Sequence, residues 1–385
     1  MVTNNRTFYA SQGLLLKPQR TAGDGSTSIG ANWKSPKGIQ SVGITTNFAL
    51  SQVFQMGQIE LYDRVEEVPE IQVTINKVID GTCPLYLLCM GGEDTVSTNS
   101  GKALVSIANN RVNVRLGIFS DTNSAATGLP RTYVDMSGMY LSAFTYTFPV
   151  DGNMTEEVTL VGNNKVWNSG ILGGAPTYSA SGLSFGITGN GSSPNTMIRS
   201  NLSLTSSGTL LPTGVGGIPN ASGAASGVTQ LPHVQSITIS STLGREAIKE
   251  LGRFTPYYRY VNFPLEITSE FTIIGTDGDN IEARDFSEGL ACGAGAHNGI
   301  YGYRNLLEKA VKVVVVGTGC NDLLILDLGT KNKLTSVNYS GADTGGGNAT
   351  VAYSFSTFNT FTLSASGTFT DNKYIDLVDD AGYDD

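Results

Sequence analysis

Alternating polar and apolar residues recur along the chain in short runs separated by turn-forming residues. Residues 40–45 (QSVGIT), 71–79 (IQVTINKVI) and 265–274 (LEITSEFTII) alternate for much of their length, as strands with one buried face do. Residues 310–317 (AVKVVVVG) are almost continuously apolar, which predicts a fully buried strand. That run is far shorter than the roughly 20 residues that a membrane span needs, so we predict a mainly β chain without a transmembrane segment.

One segment of this pattern occurs twice. Residues 39–69 (IQSVGITTNFALSQVFQMGQIELYDRVEEVP) align without a gap to residues 234–264 (VQSITISSTLGREAIKELGRFTPYYRYVNFP) at an offset of 195. Seven of the thirty positions from 40 to 69 are identical. The identical pairs are Gln40/Gln235, Ser41/Ser236, Ile44/Ile239, Gly57/Gly252, Tyr62/Tyr257, Arg64/Arg259 and Pro69/Pro264. Apolar residues also recur at Val42/Ile237, Phe48/Leu243, Val53/Ile248, Met56/Leu251 and Ile59/Phe254.

The match continues beyond the proline. A slip of one residue then aligns Ile71 with Ile267, and residues 141–160 lie over 334–353 more weakly, at an offset of 193. Two unrelated hairpins could produce the weaker match alone, but both matches in one order favour an internal duplication. The sequence therefore predicts a mainly β protein with two tandem related β-sandwich or barrel domains.

Each repeated segment also predicts a short flanking helix. The predicted helices lie within 49–58 (ALSQVFQMGQ) and 244–253 (GREAIKELGR), and the second is rich in good helix formers. Gly252 stands where a helix C-terminal glycine would be expected.

The glycine-rich and serine-rich stretches set the predicted boundaries. They are an N-terminal arm with first strands (1–38), a first domain (39–161), loops and the connection between the copies (162–232), a second domain (233–363) with an insertion at 285–310, and an acidic C-terminal arm (364–385).

Composition and charge exclude several classes of function. The 385 residues carry a formal net charge of −9, which argues against tight binding of nucleic-acid phosphates. The N-terminal MVTNNRTFYASQGLLLKPQ has no cationic region followed by a long apolar core, so we expect no Sec-type signal. The cysteines Cys83, Cys89, Cys292 and Cys320 form no CxxC, so a zinc site or disulfide scaffold is not expected, and buried thiols are.

No catalytic motif stands out. GxxxxGK[ST] and HExxH are absent, and the spacing GxSxG occurs as GLSFG (182–186) inside a stretch predicted to form loops, not at the strand-to-helix turn of a nucleophile elbow. Both histidines, His233 and His297, are interpreted as solvated or locally hydrogen-bonded. Asp277, Asp279 and Glu282 in TDGDNIE are explained more simply by a turn than by a cation site. We predict no catalytic residue, no cofactor and no metal, although the sequence alone leaves open a carboxylate pair for glycan hydrolysis.

The recurring residues are predicted to serve fold and assembly. These positions are Gly57, Tyr62, Arg64, Pro69, Gly252, Tyr257, Arg259 and Pro264. Two interpretations of the arginines are open: an inter-subunit contact with the neighbouring tyrosine, or an exposed strand arginine packed over its own tyrosine. The glycines are predicted to supply backbone turns.

The segments VQSITISSTLGREAIKELGRFTPYYRYVNFPLEIT (234–268) and LGTKNKLTSVNYSGADTGGGNATVAYSFSTFN (328–359) resemble the major tail tube proteins of long-tailed bacteriophages. The resemblance covers the core strands of both halves and is weaker in the first. It implies a β-sandwich or barrel with a flanking helix whose neighbours pair strands into a continuous inner barrel, and stacked rings that form the conduit for DNA ejection. This chain departs from the family in size, because tube subunits commonly carry one such domain.

Together, the duplication and the resemblance predict how many chains form a ring. If each copy fills one of six positions, three chains complete a pseudo-sixfold trimeric ring, and rings stack head to tail by contacts that do not close. The expected partners are further copies of the chain, together with sheath, tape-measure, baseplate or tail terminator proteins, in a virion tail assembled in the host cytoplasm. Double-stranded DNA would pass without sequence-specific binding, and no membrane is involved. The alternatives are another tail component (sheath, baseplate hub or adhesion module) and a β-rich glycan hydrolase.

Overall fold

A computed structural model describes most of the chain. The described residues are 6–19, 33–90, 101–120, 130–169, 196–205, 233–275, 278, 308–317, 322–342 and 347–370.

The described elements are almost all strands. In the first half they are β1 (Gln12–Gln19), β2 (Ile39–Asn47), β3 (Leu50–Phe54), β4 (Leu61–Glu66), β5 (Glu70–Val78), α1 (Leu85–Met90), β6 (Lys102–Ala103), α2 (Leu104–Ile107), β7 (Arg111–Ile118), β8 (Thr132–Pro149), β9 (Thr155–Gly162) and β10 (Val166–Ser169). In the second half they are β11 (Leu202–Thr205), β12 (Val234–Thr242), β13 (Arg245–Ile248), β14 (Tyr258–Val261), β15 (Glu266–Ile274), β16 (Lys312–Val316), β17 (Leu323–Asp327), β18 (Lys333–Ser340), β19 (Thr350–Phe358) and β20 (Thr362–Ala365). The predicted fold class, mainly β, is confirmed.

Eight antiparallel strands form one continuous path through the main sheet, in the order β18-β19-β15-β12-β8-β9-β5-β2. The first half supplies β2, β5, β9 and β8, and the second half supplies the other four, so one sheet joins the two halves. Strand β8 is 18 residues long, and its beginning leaves this path to pair with β7 and β10, while β7 also pairs with β1. A separate sheet has the order β11-β16-β17-β20-β6, in which the second half supplies all strands except β6.

The two halves have the same strand order. In the main sheet the order β2-β5-β9-β8 corresponds to β12-β15-β19-β18. The strands outside that path also correspond, since the order β1-β7-β8-β10 of the first half matches β11-β16-β17-β20 of the second, and we call these two sets the outer layer. In the second half the counterpart of the long β8 is divided into β17 and β18. Since the pairings are antiparallel throughout, the corresponding strands also run in corresponding directions.

Irregularities in the ladders also correspond. The β2/β5 pairing shifts register between Ile39 and Ser41, and the β12/β15 pairing shifts at the equivalent positions, Val234 and Ser236. The β8/β9 pairing likewise shifts between residues 141 and 143, and the β18/β19 pairing between 334 and 336. These positions are related by the same two offsets that align the halves in the sequence. A bulge is a specific local feature of a strand, so its recurrence supports the duplication, which stays a prediction.

The predicted helices at 49–58 and 244–253 are wrong. Residues there form the antiparallel hairpins β3–β4 and β13–β14. The helix propensity of residues 245–251 (REAIKEL) is outweighed because residues 258–261 (YRYV), which are aromatic and β-branched residues and one arginine, pair with 245–248 as a second strand. Two short helices, α1 and α2, do lie in the first half, but elsewhere.

Several predicted segments fall partly outside the described residues. Of the insertion at 285–310 only 308–310 are described, and of the acidic arm only 364–370. The predicted connection at 162–232 contains two strands, β10 and β11, both of which pair within the outer layer.

A buried carboxylate anchors helix α1 to the main sheet. Glu156 is fully buried and accepts hydrogen bonds from the backbone N–H groups of Leu85 (2.7 Å) and Tyr86 (2.9 Å) and from the Tyr146 hydroxyl (2.6 Å). Burial raises the pKa of Glu156, while these donors and the Lys77 ammonium act against that rise. The carboxylate therefore satisfies two helix N–H groups that have no partner within the helix.

Glu156→Ala is expected to lower the free energy of unfolding by about 3 kcal/mol, because three buried donors lose their acceptor. Urea denaturation followed by circular dichroism measures this change. Glu157→Ala, at the exposed neighbouring position, is the matched control and should stay within about 0.5 kcal/mol of the parent chain. Equal losses in both variants would contradict the assigned role of Glu156.

Candidate assembly interface

Both hairpins expose apolar side chains. On the first hairpin and its flanks these are Phe48, Leu50, Val53, Phe54, Met56, Ile59, Tyr62 and Val65, and on the second Ile248, Leu251, Phe254, Tyr257, Tyr260 and Phe263. Met56, Ile59 and Leu251 are 96%, 100% and 106% exposed. Clustered apolar side chains that remain in water in a single chain indicate a surface that another protein covers.

Both hairpins, whose tips are residues 55–60 and 249–257, begin at the same rim of the main sheet. Hairpin β3–β4 follows β2, and hairpin β13–β14 follows β12. Four antiparallel pairings separate β2 from β12, so the two strands run in the same direction and end at the same rim. Each apolar hairpin is therefore attached at the same rim of the sheet.

The recurring glycines lie in these tips. Gly57 has φ +92° and Gly252 has φ +85°, a region that residues with a Cβ rarely adopt. The turns correspond in their hydrogen bonds as well, since Gln58 N–H donates to Gln55 O and Arg253 N–H donates to Glu250 O. Both glycines thus lie in turns, and their role in fold and assembly stays a prediction.

The recurring tyrosines lie in or next to the second strand of each hairpin, and the prolines follow that strand. Tyr62 and Tyr257 are both exposed, and the Arg253 guanidinium lies 5.6 Å from the centre of the Tyr257 ring. The carbonyl of Pro69 accepts a hydrogen bond from Asn163 (2.8 Å), and Pro264 lies in the bend before β15. Neither tyrosine packs beneath its neighbouring repeated arginine among the described ring contacts.

The halves meet where β12 of the second pairs with β8 of the first. Their ladder runs from Ser236↔Pro149 to Thr242↔Ala143, and Leu243 N–H extends it by donating to Ser142 O at 2.7 Å. At this internal junction Leu243 is 1% exposed, whereas Phe48, its counterpart in the first half, is 71% exposed. The difference arises because Phe48 lies beside the open edge of β2, which has no such neighbour among the described strands.

Hydrogen-bonded pairs in this ladder can be assigned. Leu243 donates to Ser142 and Val150 donates to Gln235, and in an antiparallel ladder such pairs alternate with non-hydrogen-bonded ones. Ile239↔Tyr146 is therefore a hydrogen-bonded pair, and Ser240↔Thr145 is a non-hydrogen-bonded pair.

Arg245 fastens the second hairpin to the first half. Its guanidinium donates to the carbonyl oxygens of Leu141 (2.5 Å), Ala108 (2.5 Å) and Arg259 (3.3 Å) and lies 4.9 Å from the centre of the Tyr140 ring. Burial lowers the pKa of Arg245 to about 10, so the group stays charged at neutral pH. Comparison of the two copies could not point to this residue, because its counterpart in the first half is Leu50.

Arg245→Met is expected to lower the free energy of unfolding by about 3 kcal/mol, because methionine keeps much of the apolar stem but leaves three carbonyls without this donor. Thermal and urea unfolding measure the change. Arg253→Met removes an exposed arginine of the same hairpin and is the control, with an expected change of about 0.5 kcal/mol or less. An unchanged stability in Arg245→Met would show that the junction does not depend on this guanidinium.

The two recurring arginines differ in their surroundings. Arg259 is 7% exposed and pairs with Glu70 (3.0 Å) and Asn163 (3.1 Å), both in the first half. Arg64 is exposed, and the described carboxylates form no ion pair with it.

Lys249 adds an exposed contact between the halves by pairing with Glu67 at 2.7 Å, and this pairing lowers the pKa of Glu67. Sequence reasoning missed Glu70, although a glutamate also stands at its counterpart, Glu266.

The face of the main sheet opposite the core is polar. Paired residues cross the sheet in two rows, and none of them is buried. One row comprises Ser41, Asn76, Glu157, Thr145, Ser240, Thr268, Ser356 and Lys333, and the other Thr155, Thr147, Thr238, Glu270, Ser354 and Ser336. Lys333, on the edge strand β18, is the one cation in these rows. The other side chains of the two rows carry hydroxyl, amide and carboxylate groups, and none of them carries a positive charge that could bind a phosphate.

The described residues give no sign of a metal centre or a membrane span. Over those ranges no three His, Cys, Asp or Glu side chains gather as a metal site would require. Cys83 and Cys89 are buried thiols, as predicted, and His233 is exposed. Asp277, Asp279, Glu282, Cys292, His297 and Cys320 lie outside the described residues. None of the described helices is long and apolar enough to cross a membrane.

Comparisons with known proteins leave the family open. No family model matches the chain, and no curated protein matches it. Among solved structures, 16 chains match. One belongs to the "Cryo-EM structure of the anti-feeding prophage (AFP) baseplate, 6-fold symmetrised", with 10% identity, 43% of this chain covered, 98% of that chain covered and a TM-score of 0.29. A TM-score this low does not establish a shared fold.

Proposed function

We propose that this chain is a structural virion protein, the tail tube subunit of a long-tailed phage, and that three chains form a pseudo-sixfold ring. The observation that carries the proposal is the internal junction between β8 and β12. It joins the last main-sheet strand of one half to the first of the other, and among the described strands it leaves the two corresponding ones, β18 and β2, without a partner at the ends of the sheet.

Open edges of this kind call for a partner strand. An unpaired strand edge presents N–H and C=O groups that pair readily with another chain. Here the edge strand β18 corresponds to β8, and the edge strand β2 corresponds to β12. If β2 of a second copy pairs with β18, the contact between the two chains therefore repeats the pairing of β12 with β8 inside one chain. Because the contact is head to tail, repetition generates a ring if the rotation closes.

Three chains give a barrel of suitable width. Each contributes an arc of eight strands, and 24 strands spaced about 4.8 Å apart enclose a barrel about 40 Å across. Porins with 16–18 strands already leave an aqueous channel. The polar rows of the main sheet would line this channel, and their glutamates and hydroxyl groups let a DNA duplex pass without binding it.

The hairpin tips would form the contacts between rings. They expose apolar residues, and both hairpins begin at one rim of the sheet, so every chain of a ring offers two apolar tips to the next ring. The remaining partners of such a subunit would be sheath, tape-measure, baseplate or tail terminator proteins at the ends or outside of the tube, in a virion tail assembled in the host cytoplasm.

Electron microscopy of the purified protein tests the proposal. We expect rings or tubes with an open central channel. Rings that never stack would favour another ring-forming tail component, such as a baseplate hub. Monomers at all concentrations, with glycan hydrolysis, would contradict a structural role.

A further inference from the structure

We propose that neighbouring chains join in the register of the internal junction, and that Arg64 of one chain pairs with Glu266 of the next. This inference rests on the proposed function and names the surface by which one copy recognises another. The partner is a second copy of this chain, because the ion pair that joins the two halves has counterparts on the open edges.

The existing ion pair shows how the second hairpin reaches the other half. In the main sheet β8 and β9 lie between β12 and β5. Arg259 on β14 nevertheless contacts Glu70, the first residue of β5, because its hairpin extends over the rim of the intervening strands. The contact is charge-assisted, and the arginine is nearly removed from water, so it is specific as well as attractive.

The counterparts of both residues carry the same charges. Arg64 is the counterpart of Arg259 in the gapless alignment of the two copies, and the ladders agree, since Arg64 lies opposite Gln52 and Arg259 opposite Ala247. Glu266 is the counterpart of Glu70 once the one-residue slip after the proline is included. The pairings of β5 and β15 require that slip, because Ile75 faces Val42 and Phe271 faces Ile237.

Both counterparts are exposed. Glu266 begins β15, which β18 and β19 separate from the open edge, as β8 and β9 separate β5 from the junction. The first hairpin of a neighbouring chain whose β2 pairs with β18 would extend over those two strands and bring Arg64 to Glu266. The charge complementarity therefore selects one edge and one orientation of the second copy.

The register of the new junction follows from the same alignment. Ser240↔Thr145 corresponds to Thr45↔Asn338 between chains, and Ile239↔Tyr146 corresponds to Ile44↔Tyr339. Thr45↔Asn338 is then a non-hydrogen-bonded pair, whose Cα atoms would lie close enough for a disulfide.

A charge exchange tests the ion pair. Arg64→Glu and Glu266→Arg should each raise the protein concentration needed for ring formation by about tenfold or more, and the double variant should restore most of that loss. Circular dichroism and thermal unfolding should be unchanged, because both side chains are exposed. Arg131→Glu, an exposed position just before β8 and outside both the tips and the open edges, is the control for a charge reversal alone. Failure of the double variant to recover would overturn the ion pair.

Cysteine pairs test the register separately. Oxidised Thr45→Cys/Asn338→Cys should give covalent rings on a non-reducing gel, whereas Thr45→Cys/Ser336→Cys, displaced along the strand, should not. Ser240→Cys/Thr145→Cys reproduces the pair inside one chain and should cross-link in the monomer. If rings form but only the displaced pair cross-links, the register is wrong and the tube assignment stands. If the parent chain forms no rings, the proposed function fails.

Discussion

Tyr339→Pro should abolish ring formation while leaving the chain folded. By correspondence with Tyr146, the N–H of Tyr339 points away from β19 and towards the open edge, where it would donate to Ile44 of the neighbouring chain. Proline removes that donor and places its ring where the partner strand must approach. The pairing of β18 with β19 loses no hydrogen bond, because adjacent residues on a strand donate to opposite sides.

The effect should be nearly complete, because one blocked edge per chain interrupts every junction of the ring. Size-exclusion chromatography with light scattering should show monomers at concentrations where the parent chain assembles, with an unchanged circular dichroism spectrum. Tyr339→Ala removes the same half-exposed ring but keeps the N–H, so it is the matched control and should still assemble. Assembly of the proline variant would show that rings close by some other edge.

Aspartate at both hairpin tips should give rings that do not stack. Ile59 and Leu251 are fully exposed in the single chain, and a stacked ring would bury them. Burial of an aliphatic side chain of this size contributes about 1.5–3 kcal/mol, and burying an unpaired carboxylate costs more, so Ile59→Asp/Leu251→Asp should remove the contact between rings. Two tips per chain and three chains per ring multiply the loss.

Negative-stain electron microscopy distinguishes this result from a failure to assemble. We expect isolated rings with the parent diameter and no tubes. Arg131→Asp makes the same change of net charge at an exposed position outside the tips and serves as the control, with tubes retained. Normal tubes from the double aspartate variant would show that the tips face solvent on the outside of the assembly.

The repeat predicts the arrangement of strands better than it predicts the local structure. The sequence offsets of 195 and 193 reappear in the bulges of β2 and β8 and of their counterparts, because a bulge depends on local side chains that the repeat preserves. Helix propensity, in contrast, predicts helices where the hairpins lie. That propensity is local, while a hairpin depends on a partner strand further along the chain.

The internal junction could not be predicted from the repeat. Arg245 has leucine as its counterpart, and Glu156, which holds α1, corresponds to no acidic residue in the second half. Such residues are specific to a position where the halves differ, so comparison of the halves conceals them. The correspondence of Glu70 with Glu266 could be predicted from the sequence, because the one-residue slip after Pro69 aligns them. Their role could not, because it depends on the contact between Arg259 and Glu70 in the folded chain.

The number of chains in a ring tests whether each chain fills two of its six positions. Native mass spectrometry of rings released from the tube, or of the Ile59→Asp/Leu251→Asp variant, measures that number. We expect a mass three times the 40.6 kDa of the chain. A mass six times that of the chain would mean that each chain fills a single position, which would contradict the pseudo-sixfold trimer.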